Sequence, residues 1–405
     1  MAPVAGRWRR LLFSAVVFTG VVGAAEALCR ALPFQANIQG VYRTGFTGCW
    51  LTESAGTVTL CEADSGKWGP QTFPAARGDG CRVMFLGGSS VRLPGHRGWP
   101  ERATVGDVPV EVVNLGVPGA TSLATALRGK EALAYKPDVL VVYEGHNDFA
   151  QWSFGSGEPV VQRDLRTAGL VLQLERSAFF RTLTWASERW TPERKREQVE
   201  GLRVSAAVVT AEEAPVVAKE LQANFTALVE AAKGRGVPVI QVVPISNPGK
   251  SPIATLMDMD PDRGRRVDQA VITADQFLEL KDYAGALLGA DAALREDAHH
   301  AGAWWVKARA LQALGRGPEA VEAYGEARTW DAIPLRSTPA VDDAIRAVPA
   351  DEIVDLPKLL AEDDGLVSDT LFTDMVHFSD LGHATLASTM SPFIQAKCAE
   401  ALARR

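Results

Sequence analysis

Four short stretches of this chain carry side chains that suit nucleophilic chemistry. Ser89 is the first polar side chain after an apolar run, Val83 to Leu86, and the pair Gly87-Gly88. Asp374-Met-Val-His377 sets a carboxylate three residues ahead of an imidazole, and between these lie Gly116-Val-Pro-Gly119 and Gly145-His-Asn147-Asp148. A serine hydroxyl is a poor nucleophile until a base takes its proton; a histidine whose ring is turned by a carboxylate is such a base. Taken alone, Arg82 to Val91 is an ordinary strand-to-loop turn. The order of the other three stretches gives it weight.

The elements around these residues are legible as a parallel sheet. Strands are expected at Arg82–Leu86, Val108–Leu115, Asp138–Tyr143, Val237–Pro244 and Glu352–Leu356, the first four being largely apolar runs of the kind buried on both faces. A helix starts near Thr121 or Ser122, Ala211 to Gly234 is strongly amphipathic, and a last helix reaches about Ala403. Strand, turn and helix alternate, so the strands run parallel and the candidate residues project from one carboxyl edge, where open α/β sheets hold ligands. Residues 35 to 80 read as an irregular β lead-in, and Gln151 to Gly201 as a polar, partly helical excursion.

Taken together, the four blocks resemble the SGNH (GDSL-type) hydrolase family: Gly87-Gly88-Ser89-Ser90, Asn114-Leu-Gly116-Val-Pro-Gly119, Gly145-His-Asn147-Asp148 and Asp374-Met-Val-His377, in that order. The resemblance runs from Arg82 to about Ala401. It implies a three-layer α/β/α sandwich on a flavodoxin-like parallel sheet, in which Ser89 is the nucleophile, His377 its base and Asp374 the group that orients the base. It also implies an oxyanion hole formed by the N–H groups of Ser89 and Gly119 and the side-chain amide of Asn147. The chain departs from the pattern at Gly88, where the motif usually has aspartate. Ser90 is a rival nucleophile, or caps the following turn; His146 either touches substrate or is structural; Asp148 braces its loop. His96, His299 and His300 read as solvated loop residues and His383 as a packing group, and no set of residues has metal-ligand spacing, so neither metal nor cofactor is expected.

Between the fourth and fifth strands, Ala274 to Asp331 repeats with itself. Leu280, Ala286, Ala293 and Asp297 recur as Leu314, Ala320, Ala327 and Asp331, each 34 positions on, a spacing that resembles the tetratricopeptide repeat. Two repeats do not stand alone, so this insert, placed at residues 251–336 between hydrolase segments 81–250 and 337–405, must pack on the sheet domain. It is also where a protein partner would bind. Arg336 follows in Asp331-Ala-Ile-Pro-Leu-Arg336, where an ordinary salt bridge to Asp331 is the simpler reading than substrate binding.

Residues 1–34 read as an export or membrane signal. Arg7, Arg9 and Arg10 precede an uncharged run from Leu11 to Ala25, which spans about 22 Å as helix. An uncleaved single-pass anchor with the body on the periplasmic or extracytoplasmic side is expected, with cleavage near Gly23-Ala-Ala25 as the alternative. Of five cysteines, Cys49 and Cys61 are the expected disulfide pair. A net charge of −7 excludes nonspecific nucleic-acid binding. The expectation is therefore an anchored, outward-facing serine esterase acting on a carboxylic ester, an acylated glycan or a lipid ester among them. Two alternatives stand beside it: an O-acyltransferase that passes the acyl group to a polysaccharide hydroxyl, and a non-enzymatic repeat protein.

Overall fold

The computed structural model describes residues 4–31, 51–60, 71–92, 98–103, 106–149, 177–180, 182–183, 214–255 and 260–405. The expected Cys49–Cys61 pair, His96 and most of the excursion from Gln151 to Gly201 lie outside them. The chain divides into two compact units, residues 1–43 with 163–204, and residues 44–162 with 205–405.

In the first unit, Val4–Ala31 forms helix α1. Among the described residues no helix is long and apolar enough to cross a membrane. This overturns the expected single-pass anchor and the periplasmic placement that rested on it. The physical reason lies at the ends of the run: arginines at 7, 9 and 10 and charges at Glu26 and Arg30 leave about 22 Å of apolar helix, against a hydrocarbon core of about 30 Å. Glu26 has a different task. Its carboxylate accepts hydrogen bonds from Ser177 Oγ (2.7 Å) and the N–H groups of Ala178 (2.9 Å) and Phe179 (3.0 Å), besides its ion pair with Arg30. Those backbone bonds above all hold its pKa down to about 2.

The second unit begins with a small antiparallel sheet, β1 Leu51–Ser54, β2 Thr57–Leu60 and β3 Gln71–Pro74. The main sheet follows: β4 Cys81–Gly87, β5 Val110–Asn114, β6 Val139–Tyr143, β7 Val239–Val243 and β8 Glu352–Asp355, all parallel, in the order β5-β4-β6-β7-β8. The order reverses between β4 and β6, which is where such sheets open a crevice at their carboxyl ends. Alternate residues of the central strands (Val83, Phe85, Val141, Tyr143, Ile240, Val242) pack against Leu386, Met390 and Ile394. These three belong to the last helix, Asp380–Ala403. On the opposite face, Leu86 meets Leu228 around Gly129, from helices α2 Ser122–Ala132 and α3 Ala214–Lys233. The result is the expected α/β class, a parallel sheet flanked by helices. Cys81, at the start of β4, is disulfide-bonded to Cys398 of the last helix, a pairing the sequence reading missed.

Between β7 and β8 the chain makes four helices, α4 Pro261–Glu279, α5 Tyr283–Glu296, α6 Ala301–Ala313 and α7 Gly317–Thr329, then α8 Pro339–Arg346; the last helix is α9. Leu280 and Leu314 cap the ends of α4 and α6, so the offset of 34 is one helical hairpin. The excursion leaves and returns at one place. Thr255 pairs with Asp331, Ala332 N–H donates to Ala254 O (3.0 Å), and the Asp331 carboxylate accepts the N–H groups of Ile253, Ala254 and Ile333. Its helices rest on the loop after β7 through Trp305 Nε1 to Pro248 O (3.2 Å). His300, expected in a solvated loop, is instead buried: it caps α6 through Nδ1 and meets Asp268 through Nε2. His299 is as expected exposed, stacked on Trp330.

Candidate active site

β4 is buried along its whole length and ends at Gly87. The N–H groups of Val91 (3.1 Å) and Arg92 (3.2 Å) both return to Gly88 O, so Ser89 and Ser90 sit on the crest of a tight turn. Their side chains part there. Ser90 is buried, its hydroxyl donating to Val376 O (3.2 Å) and its carbonyl accepting Trp99 Nε1 (3.1 Å). Ser89 is half-buried, and its Oγ stands 2.8 Å from His377 Nε2.

His377 comes from the loop before α9. That loop closes on itself through Thr373 N–H to His377 O (2.8 Å) and a bridge between Phe372 and Phe378. Asp374 folds back over the same turn. One carboxylate oxygen accepts the N–H groups of Val376 (2.9 Å) and His377 (2.8 Å); the other lies 2.6 Å from His377 Nδ1. Burial alone would raise its pKa, but the hydrogen bonds from the His377 backbone and ring and from Val376 outweigh it and hold the carboxyl below its usual range. An ionised Asp374 fixes the ring hydrogen on Nδ1, which leaves Nε2 as the acceptor facing Ser89. Asn247, after β7, braces the loop from behind: its N–H donates to Met375 O (2.9 Å) and its amide to Asp374 O (3.1 Å).

The expected oxyanion-hole residues gather at the same edge. Gly119 has φ +75°, is exposed, and a Cβ there would meet nothing within 4 Å, so its left-handed turn opens onto free space. Among the described residues neither Ser89 N–H nor Gly119 N–H donates to a protein acceptor. Asn147 is differently placed. Its amide donates to Ala120 O (3.0 Å) and to Glu144 Oε1 (3.2 Å).

Glu144 is the residue the sequence reading missed. It is 2% exposed, and its Oε1 also accepts the N–H groups of Gly145 (2.9 Å), His146 (3.2 Å) and Asn147 (3.3 Å). A Cβ on Gly88 would lie 2.7 Å from Glu144 Oε2 and 2.4 Å from Asn147 Nδ2. Glu144 thus fills the room that a side chain at position 88 would need, which accounts for glycine where aspartate is usual. The visible signal was an acidic residue directly after the apolar run of β6. Burial pushes its pKa up to about 8, assisted by Asp148 and opposed by the three backbone N–H groups. Asp148 accepts Ser122 N–H (3.2 Å) and, more closely, the Ser122 hydroxyl, which ties its loop to the start of α2. Burial raises Asp148 to about 6.

The remaining candidates are packed into the fold. His146 is buried beneath Tyr143 and accepts Ser337 N–H at Nδ1 (3.1 Å); burial, with the charges of His377, Arg328 and Arg336, lowers its pKa to about 3. His383 packs edge-on against Phe378. Arg336 makes no ion pair with Asp331, whose oxygens are engaged by backbone; it donates to Asn247 O (2.9 Å). Among the described residues no three His, Cys, Asp or Glu side chains are grouped to hold a metal ion.

A search of curated proteins finds no match. Two solved structures are similar to the chain at low identity. A GDSL-like lipase from Bacteroides thetaiotaomicron is 12% identical over 78% of this chain and 88% of that one, with a TM-score of 0.33. A candidate acylhydrolase from Bacteroides fragilis is 11% identical over 83% and 94%, with a TM-score of 0.33. A sequence model of the GDSL-like Lipase/Acylhydrolase family matches residues 84–310, more than half of the chain. The matched stretch contains the first three blocks and stops short of Asp374 and His377. On that match the chain belongs to the GDSL-like lipase/acylhydrolase family, and it is an ester-bond hydrolase.

Proposed function

We propose that the chain hydrolyses a carboxylic ester through an acyl-enzyme on Ser89. Ser89 Oγ attacks the ester carbonyl while its proton passes to His377 Nε2, and Asp374 stabilises the imidazolium that forms. The tetrahedral oxyanion lies against the N–H groups of Ser89 and Gly119 and the amide of Asn147. Collapse breaks the ester C–O bond, His377 gives its proton to the leaving alkoxide, and water repeats the sequence to release the acid and restore Ser89.

The observation that carries this reading is the unbroken chain from Ser89 Oγ through His377 (2.8 Å) to Asp374 (2.6 Å). The geometry also favours Ser89 over Ser90, whose hydroxyl is committed to Val376 O. The test is labelling of the full chain with a fluorophosphonate, followed by peptide mapping. A single adduct on Ser89, lost in Ser89→Ala together with about 10³-fold or more of aryl-ester turnover, is expected. An adduct on Ser90, or full activity in Ser89→Ala, refutes it. We read the paired hairpins, on their 34-residue offset, as a tetratricopeptide-like insert.

A further inference from the structure

A cavity lies between the loop after β7 and helix α7, with Ser89 outside its lining. Its walls are mostly apolar, formed by Pro244, Ile245, Pro248, Val321, Tyr324 and Leu366, with Arg336 and Arg328 also in the lining. Its volume is about 120 Å³, a little under the ~150 Å³ apolar cavities that take benzene, which suits a ligand of about six non-hydrogen atoms.

Arg336 gives the cavity its chemistry. The residue is 2% exposed, yet only Nη1 is engaged, on the carbonyl of Asn247; Nε has no partner. Among the described residues no carboxylate stands within ion-pair reach of it. Asp331 is held by three backbone N–H groups, and Asp342 is taken by Arg328 Nη1 (3.0 Å). Burial, with the neighbouring charge of Arg328, lowers the Arg336 pKa to about 10. Asp331 offsets this in part from beyond ion-pair distance; a buried cation with no directly paired carboxylate is costly, and the side-on edge of a guanidinium, Nε with Nη2, is the one that grips a carboxylate in two parallel bonds.

We propose that this cavity is a binding site for a small organic carboxylate, its headgroup held by the Nε edge of Arg336 and its short alkyl part by Val321, Tyr324 and Leu366. A phosphate fits less well, because a dianion would meet only one guanidinium without an ion-pair partner, Arg328 being engaged by Asp342, in walls that are mostly apolar. The site also touches the catalytic loop at one remove. Arg336 holds Asn247, and Asn247 holds the carbonyls of Asp374 and Met375.

The experiment compares butyrate with its neutral analogue butyramide, each at about 10 mM, by the thermal melting of the full chain, since a ligand that binds only the folded state raises its melting temperature. Butyrate is expected to raise the melting temperature of the wild type and of Ser89→Ala equally, so the shift does not require the nucleophile; butyramide is expected to leave it unchanged. Arg336→Met should weaken butyrate by about tenfold or more, the loss of a charge-assisted pair of hydrogen bonds. Gly325→Leu tests the cavity independently of the arginine. Gly325 lines it from α7, and a Cβ there finds its nearest neighbour, Pro339 Cγ, at 3.9 Å, so a leucine fills the space and should abolish the shift. No response in the wild type, an equal response to butyramide, or a full response in Gly325→Leu overturns the proposal. If Arg336→Met fails to fold, Gly325→Leu decides alone.

Discussion

Gly88→Ala puts a methyl group into a space that two polar side chains already occupy. The new Cβ would stand 2.4 Å from Asn147 Nδ2 and 2.7 Å from Glu144 Oε2, where ordinary contact begins near 3.4 Å. The amide must therefore retreat by about 1 Å and the carboxyl by about 0.7 Å. Glu144 cannot swing away freely, because its other oxygen holds the N–H groups of Gly145, His146 and Asn147, so the amide takes most of the movement. A displacement of that size in a group that must meet a developing charge costs about 10²-fold, and loss of one oxyanion donor about 10²- to 10³-fold. Steady-state hydrolysis of a short-chain aryl ester by Gly88→Ala should then show kcat reduced about 10²-fold and KM changed only a few-fold. The accompanying loss of stability should stay within the ~1–3 kcal/mol of an overpacked site. Gly88→Asp should be worse, since it adds a second buried carboxyl. Combining it with Glu144→Ala, which moves the carboxyl to the family's usual position, should recover at least about tenfold of that loss. An unchanged kcat in Gly88→Ala, or simply additive losses in the double variant, would refute the claim that Glu144 occupies the place of the missing side chain.

Asp374→Asn should lower kcat about 10²-fold or more by removing the charge that fixes the His377 tautomer, read in the same ester assay, with wild-type melting behaviour. Cys398→Ser should cost about 2–5 kcal/mol in denaturant unfolding, because the bridge to Cys81 closes a loop across 317 residues, while activity at 25 °C persists, since Cys81 opens β4 at the end opposite Ser89. Glu144 titrates near 8 in the fold against about 4.5 when free, and Asp148 near 6 against about 3.8, so the folded state binds more protons than the unfolded. Stability should accordingly fall as pH rises from about 3.8 to 8, by an amount on the order of a few kcal/mol, and Glu144→Gln should flatten that slope; a slope unchanged in the variant would rule Glu144 out as its source.

What was legible in the sequence follows from how parallel strands are buried. The runs that became β4, β6 and β7 are apolar on both faces, so their existence and order could be read without knowing their neighbours. The same holds for Ser89 and His377, whose blocks sit directly at element ends. Glu144 could not be read that way. Its meaning depends on the absence of a Cβ at Gly88, 56 positions earlier, and on a packing distance that only the fold sets. The Cys81–Cys398 bridge is similar: spacing along the chain says nothing about a strand and a terminal helix that meet face to face. His300 looked like a loop residue because a helix cap is a loop residue until its ring turns inward. The expected anchor failed for a different reason. Hydropathy counted the uncharged run, whereas the charges that close it at both ends, with Glu26 committed to the backbone of Ala178 and Phe179, set the outcome.

The two halves of the site are held by different means, and this decides where it is vulnerable. Ser89, Gly119 and Asn147 follow strands or begin a helix, so the sheet itself sets their spacing. His377 and Asp374 ride on a half-exposed loop, which would wander by more than the tolerance of proton transfer if it were tied only at its ends. Besides the hydrogen bonds by which it closes on itself, it is tied to elements far away in sequence: Ser90 Oγ to Val376 O, and Asn247, itself held by Arg336, to Met375 and Asp374. Each reaches across from a strand end or from the point where the helical excursion returns. One route by which the excursion is coupled to the imidazole loop therefore runs through Asn247. Asn247→Ala should lower kcat by about tenfold or more while leaving labelling at Ser89 site-specific, because the nucleophile turn keeps its own hydrogen bonds. If kcat in that variant matched the wild type, the loop would have to be rigid by itself, and the brace behind it would have no part in placing the imidazole.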